Sequence, residues 1–402
     1  MRSLLPTLVL VAGACSQANG NADLPEGRAG SGSAGVGGAA VNAATGAGGN
    51  ATAGGASVGG SGASAGSSPL MAGNAGAPPG AGGTGSAGSG SSGGSVGVSS
   101  AGTGSAGTPQ SFPTDPPVPD KASKVPVSKP SGGYTVEANF AYGPEPSQRL
   151  DVIYPTGAGP KGTLRLPVVL MFHGGAWIHS YTNDYGSGKD HMSTFFNRYL
   201  AHGFMVCNAE YRVNDSPPVD GAPAPAAVQD ALLAAKWCWN YLDYYHGDRE
   251  RFVVTGASAG GHLALMVGLT TPAAKLGPTS PIDFKIAAVV SGYGPADIES
   301  EINAVAKSWI PPSLPNRAAV AKLVNPITYV RADAPPLIVV QGANDNTAPV
   351  KDSQHLVDLL KAAGAEASIH LVAGAGHGFD NATWPDAEKA MFDWLAARGI
   401  GK

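Results

Sequence analysis

Short apolar runs alternate with helical stretches through the C-terminal two thirds of the chain. Uninterrupted apolar runs of five to eight residues are typical of strands that are buried on both faces of a sheet. The pattern predicts strands at residues 166–172, 203–210, 251–255, 286–291, 336–341 and 367–372. It predicts helices at residues 226–245, 258–269 and 350–363. Such alternation predicts an α/β fold, a mostly parallel sheet flanked by helices, with a site at the carboxyl ends of the strands.

The N-terminal third has a different composition. Residues 29–114 contain no charged residue and consist almost wholly of Gly, Ala and Ser. Such a segment cannot bury enough apolar surface to offset the entropy lost on ordering. We therefore predict a disordered tether over residues 15–132, with a stiffer proline-rich spacer at residues 111–130, and a catalytic domain over residues 133–402.

The first residues indicate a targeting signal. Arg2 supplies one positive charge, residues 4–11 are apolar, and the small residues 12–14 precede Cys15. This arrangement predicts a signal peptide over residues 1–14 of the lipoprotein type, with Cys15 as the lipidated residue. Ordinary secretion and a cytoplasmic location are the alternatives. The expected location is the cell envelope or the exterior, with membrane contact through the lipid anchor only.

A G-x-S-x-G motif at residues 256–260 follows one predicted strand and opens a predicted helix. This strand–turn–helix setting is the one in which the motif presents a nucleophilic serine, here Ser258. The helix N-terminus behind the serine favours developing negative charge. A chance match in a glycine-rich chain is the alternative, and the motif alone does not exclude it.

A second motif, His-Gly-Gly at residues 173–175, ends the predicted strand at residues 166–172. Glycines let backbone amides approach the oxyanion that forms during acyl transfer. The expected donors are the amides of Gly174, Gly175 and Ala259. The side chain of His173 is expected to hold the loop rather than to react.

The base and the acid should follow the serine in the order acid, then histidine. Asp345 lies in a turn after the strand at residues 336–341, and His377 lies in a glycine-rich loop after the strand at residues 367–372. His377 would take the proton of Ser258, and Asp345 would orient the imidazole ring. The alternative acids, expected to be caps or solvated carboxylates, are Asp297, Asp352 and Asp380. His262, on the helix behind Ser258, is expected to be structural.

Two insertions, residues 213–225 and 296–329, are placed where they could shape the pocket. The second is expected to be helical and carries Trp309. Trp177 and Trp309 are candidate substrate-binding residues, with ordinary packing as the alternative. Cys207 and Cys238 could pair in an oxidising compartment, but buried free thiols are the preferred interpretation.

From residue 134 onward the chain resembles α/β-hydrolase esterases of the HGG-bearing branch. That branch includes hormone-sensitive-lipase-like enzymes, bifunctional feruloyl/acetyl-xylan esterases and kynurenine formamidases. The matching segments are residues 148–155, 173–177, 210–212, 256–261 and 376–379, together with Asp345. The resemblance implies a Ser-Asp-His triad, carboxylic ester substrates and no cofactor. Ala257, where hormone-sensitive-lipase-like members usually carry Asp, and the short segment before His173 favour the feruloyl/acetyl-xylan side.

The leading functional hypothesis is a serine carboxylesterase acting on small or carbohydrate-linked esters of the acetyl or feruloyl type. Amide hydrolysis on the same triad, a polyester or lipid hydrolase, and a non-catalytic surface adhesion protein are the alternatives. The sequence has no Cys/His spacing typical of a metal site and no phosphate-binding loop. A net charge of −4 argues against nucleic-acid binding.

Overall fold

The computed structural model describes residues 112–179, 192–215, 221–277 and 284–401. The predicted signal peptide, Cys15 and the Gly/Ala/Ser-rich part of the predicted tether lie outside these ranges. Among the described residues, no helix combines the length and the apolar character needed to cross a membrane.

The described residues form one eight-stranded sheet. Its order is β1-β2-β4-β3-β5-β6-β7-β8, and β2 pairs antiparallel with both β1 and β4, whereas all other pairings are parallel. The strands are β1 Tyr134–Ala141, β2 Arg149–Pro155, β3 Leu166–Phe172, β4 Met205–Ala209, β5 Gly247–Ala257, β6 Ala288–Gly292, β7 Leu337–Gly342 and β8 Ala367–Val372. The predicted mostly parallel α/β sheet is confirmed.

Helices cover both faces of the sheet. They are α1 Ser193–Ala201, α2 Ala226–Tyr241, α3 Ala259–Leu269, α4 Ile298–Glu301, α5 Arg317–Leu323, α6 Val350–Ala363 and α7 Trp384–Ala396. Buried residues of α2, α3 and α6 belong to one apolar cluster, and those of α1 and α7 to a second cluster on the other face. The insertion at residues 296–329 contains α4, α5 and a 3-10 turn at Pro326–Tyr329.

The central strand β3 shows why the apolar runs form this sheet. Its seven residues are all buried. Val168, Leu170 and Phe172 enter one cluster, whereas Val169 and Met171 enter the other. Because successive side chains of a strand point to opposite faces, a strand covered by helices on both sides must be apolar at every position.

The described residues that pack on the sheet include a segment before the predicted domain boundary at residue 133. Residues 112–130, which we call the strap, pack along β1 and β2 instead of forming a free spacer. Pro119 bridges to Phe140, and the amide and hydroxyl of Ser128 donate to Asp151 Oδ2 at 2.7 Å each. The sequence did not indicate this because the partner of the strap, Asp151, is a buried acid inside an apolar strand.

The interpretation of Cys207 and Cys238 as free thiols is wrong in this structure. Cys207 lies on β4 and Cys238 on α2, and the two form a disulfide. The parallel crossover between neighbouring elements brings these positions together, and spacing along the chain cannot show that proximity.

Candidate active site

Ser258 lies at the sharp turn between β5 and α3. Its backbone has φ 54° and ψ −120°, a conformation that non-glycine residues rarely adopt. The Ser258 amide donates to the Gly292 carbonyl at 2.8 Å, which ties the turn to the end of β6. The side chain therefore stands above the carboxyl edge of the sheet and remains partly exposed.

Two glycines of the motif are required by close backbone approach. A Cβ at Gly256 would lie 2.4 Å from the carbonyl carbon of Gly260, and a Cβ at Gly260 would lie 2.1 Å from the Phe172 carbonyl oxygen. Both contacts are with backbone, which cannot move aside cheaply. The G-x-S-x-G pattern thus lets α3 start directly against β3 and β5.

The structure brings the three predicted side chains together. His377 Nε2 is 2.8 Å from Ser258 Oγ. On the other side of the ring, His377 Nδ1 is 2.9 Å from Oδ2 and 3.1 Å from Oδ1 of Asp345. Asp345 follows β7 and His377 follows β8, so parallel neighbouring strands deliver both residues to the same edge.

The Asp345 carboxylate is held in place by several donors. Its Oδ1 accepts from the amides of Thr347 at 2.9 Å and Ala348 at 3.0 Å, and its Oδ2 accepts from the Gln341 side chain at 3.1 Å. Burial by itself would raise the pKa of Asp345, but the hydrogen bond and charge of His377 and the two backbone amides outweigh it and lower that pKa. Asp345 is therefore ionised when it orients the ring.

The three rival acids have other partners. Asp297 caps α4 by accepting from the amides of Glu299 and Ser300. Asp380 accepts from the amides of Ala382 and Thr383 and from the Thr383 hydroxyl. Asp352 accepts from the Ser300 hydroxyl at 2.8 Å. Within the described ranges, none of these carboxylates bonds to His377.

The predicted oxyanion loop lies beside the serine. A Cβ on Gly174 would come within 3.4 Å of Ser258 Cβ, and Gly175 has φ +112°. Neither amide donates a hydrogen bond to a described residue. Ala259 is the first residue of α3, where backbone N–H groups lack intrahelical partners. The three predicted donors therefore surround one side of Ser258.

A cavity of about 360 Å³ opens onto Ser258, His377, Gly174 and Gly175. Four aromatic side chains line part of it: Phe195, Tyr293, Phe379 and Trp384. Their rings meet edge to face, with Phe195 4.7 Å and Phe379 5.1 Å from Trp384, and with Tyr293 5.0 Å from the His377 ring. We call this group the aromatic wall. It gives the cavity a rigid apolar side next to the histidine.

Comparison with protein families gives one match, to the BD-FAE family over residues 150–360. The chain belongs to the BD-FAE family. The matched region contains the His-Gly-Gly loop, Ser258 and Asp345 and ends before His377.

Several curated relatives of this BD-FAE member are named as esterases or carboxylic ester hydrolases. Esterase LipC of Mycobacterium tuberculosis is 28% identical over 68% of this chain and 67% of its own length. The probable carboxylic ester hydrolase LipM of the same organism is 29% identical over 53% of this chain and 49% of its own length. The chain thus spans about two thirds of LipC and about half of LipM. Family and relatives together place it among the α/β-hydrolase serine esterases.

Solved structures agree on the fold. Esterase B of Lactobacillus rhamnosis, in an inhibited form, superposes with a TM-score of 0.55 at 21% identity, over 68% of this chain and 89% of its own. A truncated carbohydrate esterase from gut microbiota superposes with a TM-score of 0.52 at 24% identity, over 70% of this chain and 98% of its own. The predicted α/β-hydrolase fold is confirmed.

The two predicted substrate-binding tryptophans of the BD-FAE domain do not line this cavity. Trp177 and Trp309 are both fully buried and stack on each other, with ring centroids 4.5 Å apart. His262 meets both rings edge-on and bonds to the Val324 carbonyl at 2.8 Å, so it is structural, as expected. The prediction failed because the insertion at residues 296–329 turns Trp309 into the core rather than towards Ser258.

The aromatic wall is the part of the site that the sequence analysis missed. Two of its members could have been found from the sequence, because they lie beside predicted site positions. Phe379 lies two residues after His377, and Tyr293 directly follows β6 at the carboxyl edge of the sheet. Phe195 and Trp384 lie on α1 and α7, and only packing brings them to the site. No group of three or more His, Cys, Asp or Glu side chains within the described ranges is arranged to hold a metal.

Proposed function

We propose that this BD-FAE member is a serine carboxylesterase that uses Ser258, His377 and Asp345 as its triad and hydrolyses small or carbohydrate-linked esters of the acetyl or feruloyl type. The observation that carries the proposal is the continuous hydrogen-bond chain from Ser258 Oγ through His377 to Asp345. The His-Gly-Gly loop and the ester hydrolases among its relatives support it.

The geometry supports a two-step reaction. His377 Nε2 accepts the Ser258 proton while Oγ attacks the ester carbonyl, and the amides of Gly174, Gly175 and Ala259 stabilise the oxyanion. His377 then donates that proton to the leaving alcohol, which leaves an acyl-enzyme on Ser258. A water molecule attacks this ester by the same route, with His377 again as base, and releases the acid.

The aromatic wall supports a compact acyl or aryl group as the substrate part near Ser258. Its four rings are held by edge-to-face contacts, and Arg198 lies over the Trp384 ring at 4.3 Å, so the apolar surface is formed before substrate arrives. Acetyl groups are small enough for the glycine-lined side, and a feruloyl ring could pack against the wall.

The proposal is tested with the full chain and an ester panel of p-nitrophenyl acetate, butyrate and laurate, methyl ferulate and acetylated xylan. We expect turnover of acetate or ferulate esters, and a fall on the order of 10⁴-fold or more in Ser258→Ala. Circular dichroism should show that the variant stays folded. Turnover that is unchanged in Ser258→Ala would refute the proposal. Activity on amides alone, with N-formylkynurenine in the panel, would favour amide hydrolysis.

We also propose that the enzyme acts outside the cytoplasm, on a tether anchored through Cys15. The Cys207–Cys238 disulfide supports an oxidising compartment. Cell fractionation of the wild type and Cys15→Ala tests the anchor, because the variant should move from the membrane to the soluble fraction. An unchanged distribution would contradict it.

A further inference from the structure

A buried acidic side chain that bonds to the histidine of the oxyanion loop has no part in the reaction steps above. Glu210 follows β4 and is fully buried, and its Oε1 is 3.1 Å from His173 Nε2. His173 is 1% exposed. Burying a carboxylate costs free energy unless a partner bonds to it, and here the bonded partner is His173.

The other nitrogen of the same ring contacts the oxyanion loop itself. His173 Nδ1 lies 2.6 Å from the Gly174 carbonyl oxygen, to which it donates. That carbonyl belongs to the same peptide unit as the Gly175 N–H, and in a trans peptide the C=O and N–H point in opposite directions. Holding the Gly174 oxygen against His173 therefore turns the Gly175 N–H away from His173, towards the Ser258 side.

Glycine at both positions makes this restraint necessary. Gly175 has φ +112°, and a glycine peptide can rotate between several conformations that other residues cannot reach. The Gly175 carbonyl accepts from the amides of Ile178 and His179, which holds the peptide that follows Gly175. The peptide between Gly174 and Gly175 is held on its carbonyl by His173. The ring that supplies the contact is itself oriented by the bond from Nε2 to Glu210.

Neighbouring contacts fix the ring and the carboxylate as one unit. The Tyr211 ring stacks on the His173 ring with centroids 4.1 Å apart, and its hydroxyl donates to the His173 carbonyl at 2.8 Å. The Tyr142 hydroxyl donates to the Glu210 carbonyl at 2.5 Å, and the Glu210 amide donates to the Arg149 carbonyl at 2.9 Å. The unit is thus anchored to Arg149, the first residue of β2, and to Tyr142, which follows β1.

We propose that Glu210 is a positioning residue for the oxyanion site, acting through His173 to orient the Gly174–Gly175 peptide. This inference rests on the proposed esterase function. A positioning role for Glu210 predicts an effect on kcat and little effect on KM, because the oriented Gly175 N–H stabilises the transition state much more than it stabilises bound substrate. A residue that only stabilises the fold would not show this difference.

The test compares the full-length wild type with Glu210→Leu, Glu210→Gln and Tyr211→Phe. The readouts are kcat and KM for p-nitrophenyl acetate and the Ki of an aryl trifluoromethyl ketone, whose serine adduct carries an oxyanion. In Glu210→Leu we expect kcat to fall about 10- to 100-fold, Ki to rise by a similar factor, and KM to stay within about threefold. Glu210→Gln keeps a polar partner for Nε2 and should recover most of the activity. The kcat and Ki of Tyr211→Phe should lie between those of Glu210→Leu and those of Glu210→Gln.

Asp151→Asn is the matched control, since it also replaces a buried acidic side chain, but one that contacts the strap. It should lower stability and leave kcat and Ki unchanged. A folded Glu210→Leu with kcat and Ki within twofold of the wild type would overturn the proposal, as would a fall in kcat with unchanged Ki. If Glu210→Leu does not fold, the same criteria apply to Glu210→Ala, which removes the same contact with His173 Nε2. A wild type that hydrolyses no ester would refute the esterase function instead. The dissociation constant of the ketone, measured by direct binding, would then test Glu210 by the same factors.

Discussion

Asp151 and Asp345 are both buried carboxylates of the same domain, yet their surroundings differ. Asp151 lies within β2 and accepts from the amide and hydroxyl of Ser128 and from the Asn139 amide at 2.8 Å. These donors belong to the strap and to the neighbouring strand. Asp345 lies beyond the end of β7 and accepts from two loop amides, one glutamine and the ring of His377.

The comparison shows that burial and many hydrogen bonds do not by themselves identify a catalytic acid. Both carboxylates satisfy the requirement that a buried charge be well bonded. The difference is that one donor of Asp345 is a titratable ring whose far nitrogen contacts a serine hydroxyl. Asp151 instead connects the strap to β2, next to the edge strand β1. It should therefore contribute to the free energy of unfolding and not to catalysis.

The largest expected effect that distinguishes Asp345 from Asp151 is the loss of catalysis when Asp345 is replaced. Asp345→Asn should lower kcat on the order of 10³- to 10⁴-fold, because an amide cannot stabilise the imidazolium and can favour the wrong tautomer of His377. Ester hydrolysis by the purified full chain is the measurement, with thermal unfolding to check the fold. Asp297→Asn serves as the control, since Asp297 caps α4 and does not line the cavity. A loss of less than tenfold in Asp345→Asn would mean that another acid serves the histidine.

The second effect is on stability and concerns the strap. A chain that begins at Ser131 loses the Ser128 donors to Asp151 and the buried Val125 side chain. We expect its free energy of unfolding to be about 3 to 5 kcal/mol lower than that of a chain that begins at Phe112. Denaturant unfolding measures this difference, and kcat/KM of the folded fraction should not change. Equal unfolding midpoints for the two chains would show that the strap is only a spacer.

The smallest expected effect concerns a third buried acid, Glu301. Burial is the main cause that raises its pKa from 4.5 to about 7, and nearby carboxylates add to it. Below pH 4.5 Glu301 is protonated in both the folded and the unfolded state. Between pH 4.5 and 7 only the unfolded state loses the proton, so this residue lowers stability as pH rises through that window.

Glu301→Gln removes this titration. The free energy of unfolding of the variant minus that of the wild type should be about 1 to 2 kcal/mol larger at pH 8 than at pH 4, after allowance for solvent screening. Denaturant unfolding at both pH values measures the difference. His262, whose pKa burial lowers to about 4, has the opposite dependence, but it is common to both proteins and cancels. A stability difference that does not vary with pH would contradict the raised pKa.

Local patterns predicted much of the fold and of the site geometry. The bounds of β3, α6 and β8 agree with the predicted ranges, because an apolar run or an amphipathic stretch is readable within one element. Ser258, Asp345 and His377 could be located because each follows a strand, in a turn or loop with glycine, and parallel strands end at one edge of the sheet.

Other features depend on contacts between distant segments. The strap packs against β1 and β2 through Asp151, which the sequence presents only as one acid in an apolar strand. The pairing of Cys207 with Cys238 and the burial of Trp177 against Trp309 likewise depend on how elements cross. None of these has a periodic signature, so local patterns favoured free thiols, a free spacer and pocket tryptophans.

The sequence by itself determined the alternation of strands and helices, the serine turn and the order of the three triad candidates, since these follow from backbone requirements of short segments. Tertiary structure alone decided which acid meets His377, which aromatic rings border the cavity and how Glu210 and His173 hold the Gly174 carbonyl. The physical reason is that hydrogen bonds and ring contacts act over a few ångströms in space, and residues far apart along the chain reach that range only when the sheet forms.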